Sequence, residues 1–310
     1  MAVIRLDALG DTLLSTPALA LLRQHLPQAE VLALAHGPGV PVLQPLCSVV
    51  EVSPRDGWRV LARHLRQFQP DAVLCFCEKR RAALAAWSSG ARLRIGFDPG
   101  WLQPLRALAA RCWFQRSLPE QPRHETERYA ALVGLLLGSE PGEVPPIQLQ
   151  PEAAHYERAR ALGELPPLGV QLTPKWCRFG YTVQHLRQWL AALPQPWMGL
   201  VGPAEVEWAR THFPDTPLYA GRDLLEYAAV LERLRLLVSI DTGAVHVAAA
   251  RGVPVVDVFP EQNHQHCVHR WRPWRTPHRV VLQAGFSEQA SQQLADDLRG
   301  AVEELWNEPS

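Results

Sequence analysis

The sequence predicts an α/β protein built from two doubly wound, parallel-sheet halves. Three observations predict it. The length, 310 residues, suits two domains of roughly 150. Strand and helix signals alternate from the first residue onward, and strands interleaved with helices imply a parallel sheet covered on both faces. A proline-rich, unpatterned stretch, Ser139 to Pro151, interrupts the alternation once and reads as a linker.

In the first half, Ala2 to Leu6 is a short apolar strand. A turn at Asp7 to Asp11 leads into an amphipathic helix from Thr12 to His25, closed near Pro27. The strand signal repeats at Val31 to Ala35, Ser48 to Val52, Asp71 to Cys77 and Ala91 to Phe97. After the linker come strand Leu168 to Leu172, helix Val183 to Leu193, strand Trp197 to Val201 and helices Ala204 to His212 and Asp223 to Arg233. Strand Leu236 to Ile240, helix Ala244 to Arg251, strand Pro254 to Phe259 and a last helix, Gln289 to Trp306, complete the second half. The expected domains are therefore Rossmann-like units over 1–150 and 151–310, facing a central cleft at the C-terminal edges of their sheets, where such folds bind ligands.

Composition excludes several classes. No apolar run approaches the roughly 20 residues a bilayer span needs. Met1 runs straight into the first strand without a basic segment or cleavage site, so the expected location is the cytoplasm. The cysteines at 47, 75, 77, 112, 177 and 267 contain no Cys-x-x-Cys pair, which fits neither zinc nor a disulfide framework. Cys75 and Cys77 alternate within a buried strand and read as core thiols. Net charge is zero, but the halves divide as +3 and −3, and Arg55 to Arg128 holds 14 basic against 7 acidic residues. That stretch includes Arg59, Arg63 and Arg66 on one helical face and the run Lys79-Arg80-Arg81. It suits an anionic acceptor or lipid surface, or else a solvated face; no nucleic-acid partner is expected.

Four segments carry chemistry. In Leu9-Gly10-Asp11-Thr12, Gly10 allows a tight turn off the first strand, and Asp11 stands where the helix begins, either as its N-cap or as a base for an incoming hydroxyl. In Ile240-Asp241-Thr242-Gly243-Ala244-Val245-His246 a buried strand ends at a turn that opens a small-residue helix, whose free amides and dipole suit a pyrophosphate. Asp241 there can hold sugar hydroxyls. His246 either reaches the ligand or packs beneath the turn. The turn Thr173-Pro174-Lys175-Trp176-Cys177-Arg178 supplies cations for a leaving diphosphate. Gly202-Pro203-Ala204-Glu205 is one more strand-to-helix turn, suited to a wall of the nucleotide pocket.

Other signatures fail. His36-Gly37-Pro38-Gly39-Val40-Pro41 has Val42 where a dinucleotide fingerprint needs its third glycine. No Walker loop, nucleophile elbow, His-Glu-x-x-His or Asp-x-Asp occurs. Without an Asp-x-Asp pair, no metal site is expected, and amides and cations must hold the donor. His264, His266 and His269 read as a polar surface loop.

On these residues the chain resembles glycosyltransferase family 9, the group of ADP-heptose:lipopolysaccharide heptosyltransferases. The resemblance runs nearly the whole length. Its most specific parts are Leu9-Gly10-Asp11 with Thr16-Pro17-Ala18-Leu19, and Asp241-Thr242-Gly243-x-x-His246 leading to Gly252-Val253-Pro254-Val255-Val256. Weaker echoes are His124, Gly138, Gly202-Pro203-Ala204-Glu205 and Arg272-Pro273-Trp274. It implies the GT-B fold and inverting, metal-independent transfer without a cofactor. It implies Asp11 as the base that activates the acceptor, and Asp241, Thr242, Gly243 and His246 as the donor site. The implied partners are a nucleotide-sugar donor, ADP-heptose, and an anionic, lipid-linked saccharide acceptor at the inner face of the cytoplasmic membrane. Thr173, Lys175, Arg178 and Gly202 are assigned to the donor, and Gly10, Arg59, Arg63 and Lys79 to the acceptor. The chain departs from the family where Phe179-Gly180-Tyr181-Thr182 replaces a Lys and an aromatic-Pro pair, leaving the cationic role to Lys175 or Arg178. Ala244 replaces a Pro, Phe259-Pro260 replaces Phe-Gly, and Asp257 is unfamiliar. The alternatives are a relative using another nucleotide sugar or acceptor, or a catalytically silent binding homologue.

Overall fold

A computed structural model describes residues 1–98, 112–221 and 223–308. The chain forms two compact units, Met1–Gln148 and Leu149–Ser310. Part of the basic stretch between Arg55 and Arg128, with Arg106 and Arg111, lies outside the described residues.

The first unit is a six-stranded sheet, all parallel, in the order β3-β2-β1-β4-β5-β6. Its strands are β1 Ala2–Arg5, β2 Leu32–Ala35, β3 Ser48–Glu51, β4 Ala72–Cys75, β5 Leu93–Asp98 and β6 Arg116–Pro119. β1, β2 and β4 are buried at every position, as the apolar runs require when helices cover both faces. The helices are α1 Leu9–His25, α2 Val40–Leu43, α3 Trp58–Phe68, α4 Arg80–Trp87 and α5 Glu125–Leu137. Helix α1 carries Pro17 in its interior, which cannot donate to the Leu13 carbonyl. The Thr16 hydroxyl donates to that carbonyl instead, at 2.7 Å. Thr16 also accepts from the Gln148 amide at 2.8 Å, so the Thr16-Pro17 pair anchors the end of the unit. Gly96 in β5 admits the Phe114 ring, which lies 2.4 Å from where a β-carbon would stand. Cys75 and Cys77 are buried free thiols, as core residues should be.

The second unit repeats the architecture in the order β12-β11-β10-β7-β8-β9. Its strands are β7 Leu168–Gln171, β8 Trp197–Val201, β9 Leu218–Ala220, β10 Leu236–Ile240, β11 Val255–Pro260 and β12 His278–Gln283. Its helices are α6 Ala153–Ala161, α7 Val183–Ala191, α8 Val206–His212, α9 Leu224–Leu231, α10 Gly243–Ala250, α11 His264–Trp271 and α12 Glu288–Asn307. Counted from each unit's own first strand, both sheets run 3-2-1-4-5-6, the doubly wound order. One core face gathers Val238, Val256 and Val258 with the fully buried Trp176 and Trp189. The long α12 lays Leu294, Leu298 and Val302 on it, and the Trp189 indole N–H bonds the Ser291 carbonyl at 3.1 Å.

The edge strands β6, β9 and β12 escape the sequence reading. They are short or mixed in polarity, Arg116–Pro119, Leu218–Ala220 and His278–Gln283, and pair on one side only. His264, His266 and His269 lie on helix α11 rather than in a loop. A helical period turns His264 to the side opposite His266 and His269. Among the described residues no group of three or more His, Cys, Asp or Glu side chains is arranged to hold a metal. No described helix is long and apolar enough to cross a membrane.

Candidate functional site

Each sheet reverses its strand order once, between β1 and β4 in the first unit and between β7 and β10 in the second. At such a point the following helices depart to opposite faces and leave a crevice past the C-terminal strand ends. The sequence-selected segments Asp7–Asp11, Thr173–Arg178 and Asp241–Gly243 all follow one of these four strands.

In the first unit, α1 begins at Leu9 with Ala8 as N-cap. Gly10 and Asp11 are therefore inside its first turn. This corrects the reading of Asp11 as an N-cap and of Gly10 as a turn residue. The helix starts early because the backbone caps itself: Thr12 returns both its amide, at 3.0 Å, and its hydroxyl, at 3.1 Å, to the Ala8 carbonyl. Asp11 remains about one-third exposed, in a turn where a carboxylate suits the helix dipole.

Beneath it lies a charged cluster that the sequence did not announce. Arg5, the last residue of β1, is buried with only 2% of its surface exposed. Its Nη1 donates to the Phe76 carbonyl past β4 and pairs with Asp7 Oδ2 at 3.0 Å, while Nη2 stands 3.6 Å from Asp11 Oδ1. Lys79 Nζ pairs with Asp7 Oδ1 at 3.0 Å and donates to the Leu6 carbonyl. The guanidinium of Arg5 lies over the Tyr129 ring, 4.9 Å from its centroid. Tyr129 donates to Glu125 at 2.5 Å, and Glu125 pairs with buried Arg128 at 2.9 Å, which also holds Glu78 and Glu120. Lys79, assigned to the acceptor, is thus already paired with Asp7. Arg59 and Arg63 are exposed on α3, with Arg59 stacked on Trp58 at 5.0 Å.

In the second unit, Thr173, Gly202 and Asp241 follow β7, β8 and β10, three adjacent strands, so the donor-assigned turns share one sheet edge. Thr173 is the buried N-cap of a short 3-10 turn, Pro174–Cys177, that presents Lys175. Lys175 Nζ donates to the Asp241 carbonyl at 3.0 Å, bridging the β7 and β10 turns. Arg178 closes the 3-10 turn and, among the described residues, makes no ion pair. Burial raises the Asp241 carboxyl above its ordinary range, opposed by Lys175 and Arg178.

Thr242 is the N-cap of α10, but its hydroxyl contacts Ser239 Oγ at 3.0 Å and caps no amide. The first-turn amides therefore lack a side-chain acceptor, beside two cations. By contrast, α9 and α12 are capped by Asp223 and Ser287. His246 is buried, 4% exposed, inside α10. Under the same turn, Asp257 of β11 is fully buried and neither carboxylate oxygen has a hydrogen-bond partner. Burial, with Asp241 adding and Lys175 opposing, raises its carboxyl well above the ordinary range. Gln171, at the end of β7, accepts from the Tyr227 hydroxyl at 2.7 Å and completes the floor of this edge.

Residues 202–300, which include this turn, match the family described as glycosyltransferase family 9 (heptosyltransferase). No curated protein matches the chain by sequence. Solved structures match over 98% of it. A family 9 glycosyl transferase from Veillonella parvula is 18% identical, covered over 96% of its length, with a TM-score of 0.78. E. coli ADP-heptose lipopolysaccharide heptosyltransferase II is 16% identical, covered over 99%, with a TM-score of 0.71. E. coli heptosyltransferase WaaC with ADP is 20% identical, covered over 100%, with a TM-score of 0.69. Two six-stranded parallel sheets of one strand order give the chain the GT-B fold of these structures, and over residues 202–300, across the α10 turn, it is similar to glycosyltransferase family 9 (heptosyltransferase).

Proposed function

We propose that this enzyme moves a heptose from ADP-heptose to a lipopolysaccharide core acceptor with inversion, the first unit supplying base and acceptor contacts and the second holding the donor. One observation carries the donor half of this reading: an uncapped helix start at Thr242-Gly243 stands beside Lys175 and Arg178, a ready seat for a diphosphate. The acceptor oxygen attacks the anomeric carbon and its proton passes to Asp11. The bond to the diphosphate breaks, and the growing charge on ADP is met by the Gly243 and Ala244 amides and the two cations. Asp241 and His246 orient the sugar, with Thr173 and Gly202 shaping the nucleotide wall. Gly10, Lys79, Arg59 and Arg63 serve the anionic acceptor, at the cytoplasmic face of the inner membrane. The donor class is supported by solved neighbours whose names include ADP and ADP-2-deoxy-2-fluoro heptose.

The test is a donor panel of ADP-heptose, ADP-glucose and UDP-sugars, each with and without chelator, read by thermal shift and by ADP release with acceptor. ADP-heptose should bind and turn over equally well in chelator. Preference for another nucleotide sugar would support a relative of different specificity, and no shift with any donor would point to a silent homologue. Asp11→Asn should lower transfer by about 10²- to 10⁴-fold, the usual worth of a general base, with donor binding kept.

A further inference from the structure

The proposed transfer step leaves the Arg5 cluster without a role. A buried guanidinium with unspent donors is costly, and both Nε and Nη2 of Arg5 are buried without a hydrogen-bond partner. The fold nevertheless fixes this side chain from three sides: the Phe76 carbonyl past β4, Asp7 after β1, and the Tyr129 face on α5. Tyr129 is itself held between Phe76, stacked at 5.3 Å, and Phe97, edge-on at 6.1 Å. Of the two nitrogens that remain, Nη2 is directed to Asp11 at 3.6 Å.

We propose that Arg5 is a positioning residue for Asp11, holding that carboxylate ionised and aimed while contributing no proton of its own. The proposal rests on the reading of Asp11 as the base. An arginine suits the task because it does not deprotonate at working pH, so it sets the neighbouring charge without competing for the acceptor's proton. Asp7 divides Arg5's charge between two carboxylates, and Lys79 takes the other oxygen of Asp7. Arg5, Lys79, Asp7 and Asp11 thus balance as two cations and two anions.

Among the described residues, the thiol and the phenol that face this quartet add no charge to it. Burial, reinforced by Asp7, pushes the Cys77 thiol up to about 11, so it stays neutral. Burial, with Glu125 and Asp11 adding and Arg5 opposing, holds the Tyr129 hydroxyl well above its ordinary value. Beyond Tyr129, Glu125, Glu78 and Glu120 are gathered on Arg128.

Two substitutions should move the acid limb of the kcat/KM–pH profile in opposite directions. Arg5→Gln leaves Asp11 beside Asp7 with one cation fewer, so the limb should rise by about one pH unit and kcat fall by roughly 10- to 100-fold, with ADP affinity unchanged. Asp7→Asn gives Arg5 wholly to Asp11, so the limb should fall. Arg5→Lys should restore the limb and most of kcat. Carbon-13 carboxyl titration of Asp11 in the same variants reads the coupling without turnover. Should Arg5→Gln fail to fold, Asp7→Asn and Arg5→Lys carry the measurement. An Asp11 titration unmoved in Asp7→Asn, or moved the same way in Arg5→Gln and Asp7→Asn, overturns the proposal. Transfer retained in Asp11→Asn overturns the base reading instead, leaving the titration to judge the coupling alone.

Discussion

At the strand-order reversal of the first sheet, a buried arginine and a lysine are already matched by Asp7 and Asp11. At the same place in the second sheet, Lys175 rests on a main-chain carbonyl and, among the described residues, Arg178 makes no ion pair, while the helix behind Thr242, like α1, has no side-chain cap. The two crevices are topologically equivalent, so the difference lies in side chains alone. Among the described residues the first sets two cations against two anions and suits a carboxylate that must keep its place and its charge. The second has donors in excess and suits an anion that arrives and leaves. On the proposed function, one fold used twice separates holding a base from gripping a leaving group.

Removing the cations tests this contrast most severely. Lys175→Met takes away both a charge and the bridge to the Asp241 turn, so ADP affinity measured by calorimetry should fall about 10- to 100-fold. Arg178→Met removes a charge without an anchor and should cost about 10-fold, an effect that shrinks as salt is raised. Unchanged ADP binding in Lys175→Met would mean that the second crevice is not the anion seat.

Much of this was readable beforehand, for physical reasons that differ by element. Buried strands such as β1, β4 and β10 announce themselves because both faces need apolar side chains. The Asp241-Thr242-Gly243 turn was legible because a small-residue helix follows a buried strand there. Edge strand β12 was not, since four of its six positions are only partly buried and admit His278 and Arg279. Nor was the start of α1, which relies on backbone bonds to Ala8 rather than on a capping side chain. Arg5 left one signal, a charge at the end of an otherwise apolar strand. Its partners Phe76 and Tyr129 lie 71 and 124 residues away, beyond any local pattern. Asp257 was noticeable as an acid inside Val255-Val256-Asp257-Val258, yet only its burial explains its state.

Asp257 sharpens the comparison, because the second crevice also contains a buried carboxyl with no hydrogen-bond partner. A carboxyl held above its ordinary range in the fold ionises first in the unfolded chain. Its contribution to stability is full in acid and is lost as pH rises from the ordinary carboxylate range toward the raised value. Asp257→Asn cannot ionise, so its melting temperature relative to the parent should climb by several degrees between about pH 5 and pH 8. A difference independent of pH would show that Asp257 ionises in the fold as readily as in the unfolded chain, its charge matched by a partner.

The mildest change turns the second crevice toward the character of the first. Thr242 has the extended N-cap backbone, φ −142° and ψ 169°, but gives its hydroxyl to Ser239. An aspartate in that conformation can accept from the first-turn amides, as Asp223 accepts from the amides of Leu225 at 2.9 Å and Glu226 at 3.4 Å on α9. Thr242→Asp should therefore stabilise the unliganded protein by about 1 kcal/mol, or roughly 2–4 °C, with Lys175 and Arg178 offsetting repulsion from Asp241. The same carboxylate occupies the proposed diphosphate seat, so ADP should bind more weakly as the melting temperature rises. Opposed movement of the two quantities is the signature of a helix end left uncapped for a ligand. A variant that melts higher and binds ADP as tightly as the parent would place the phosphates elsewhere.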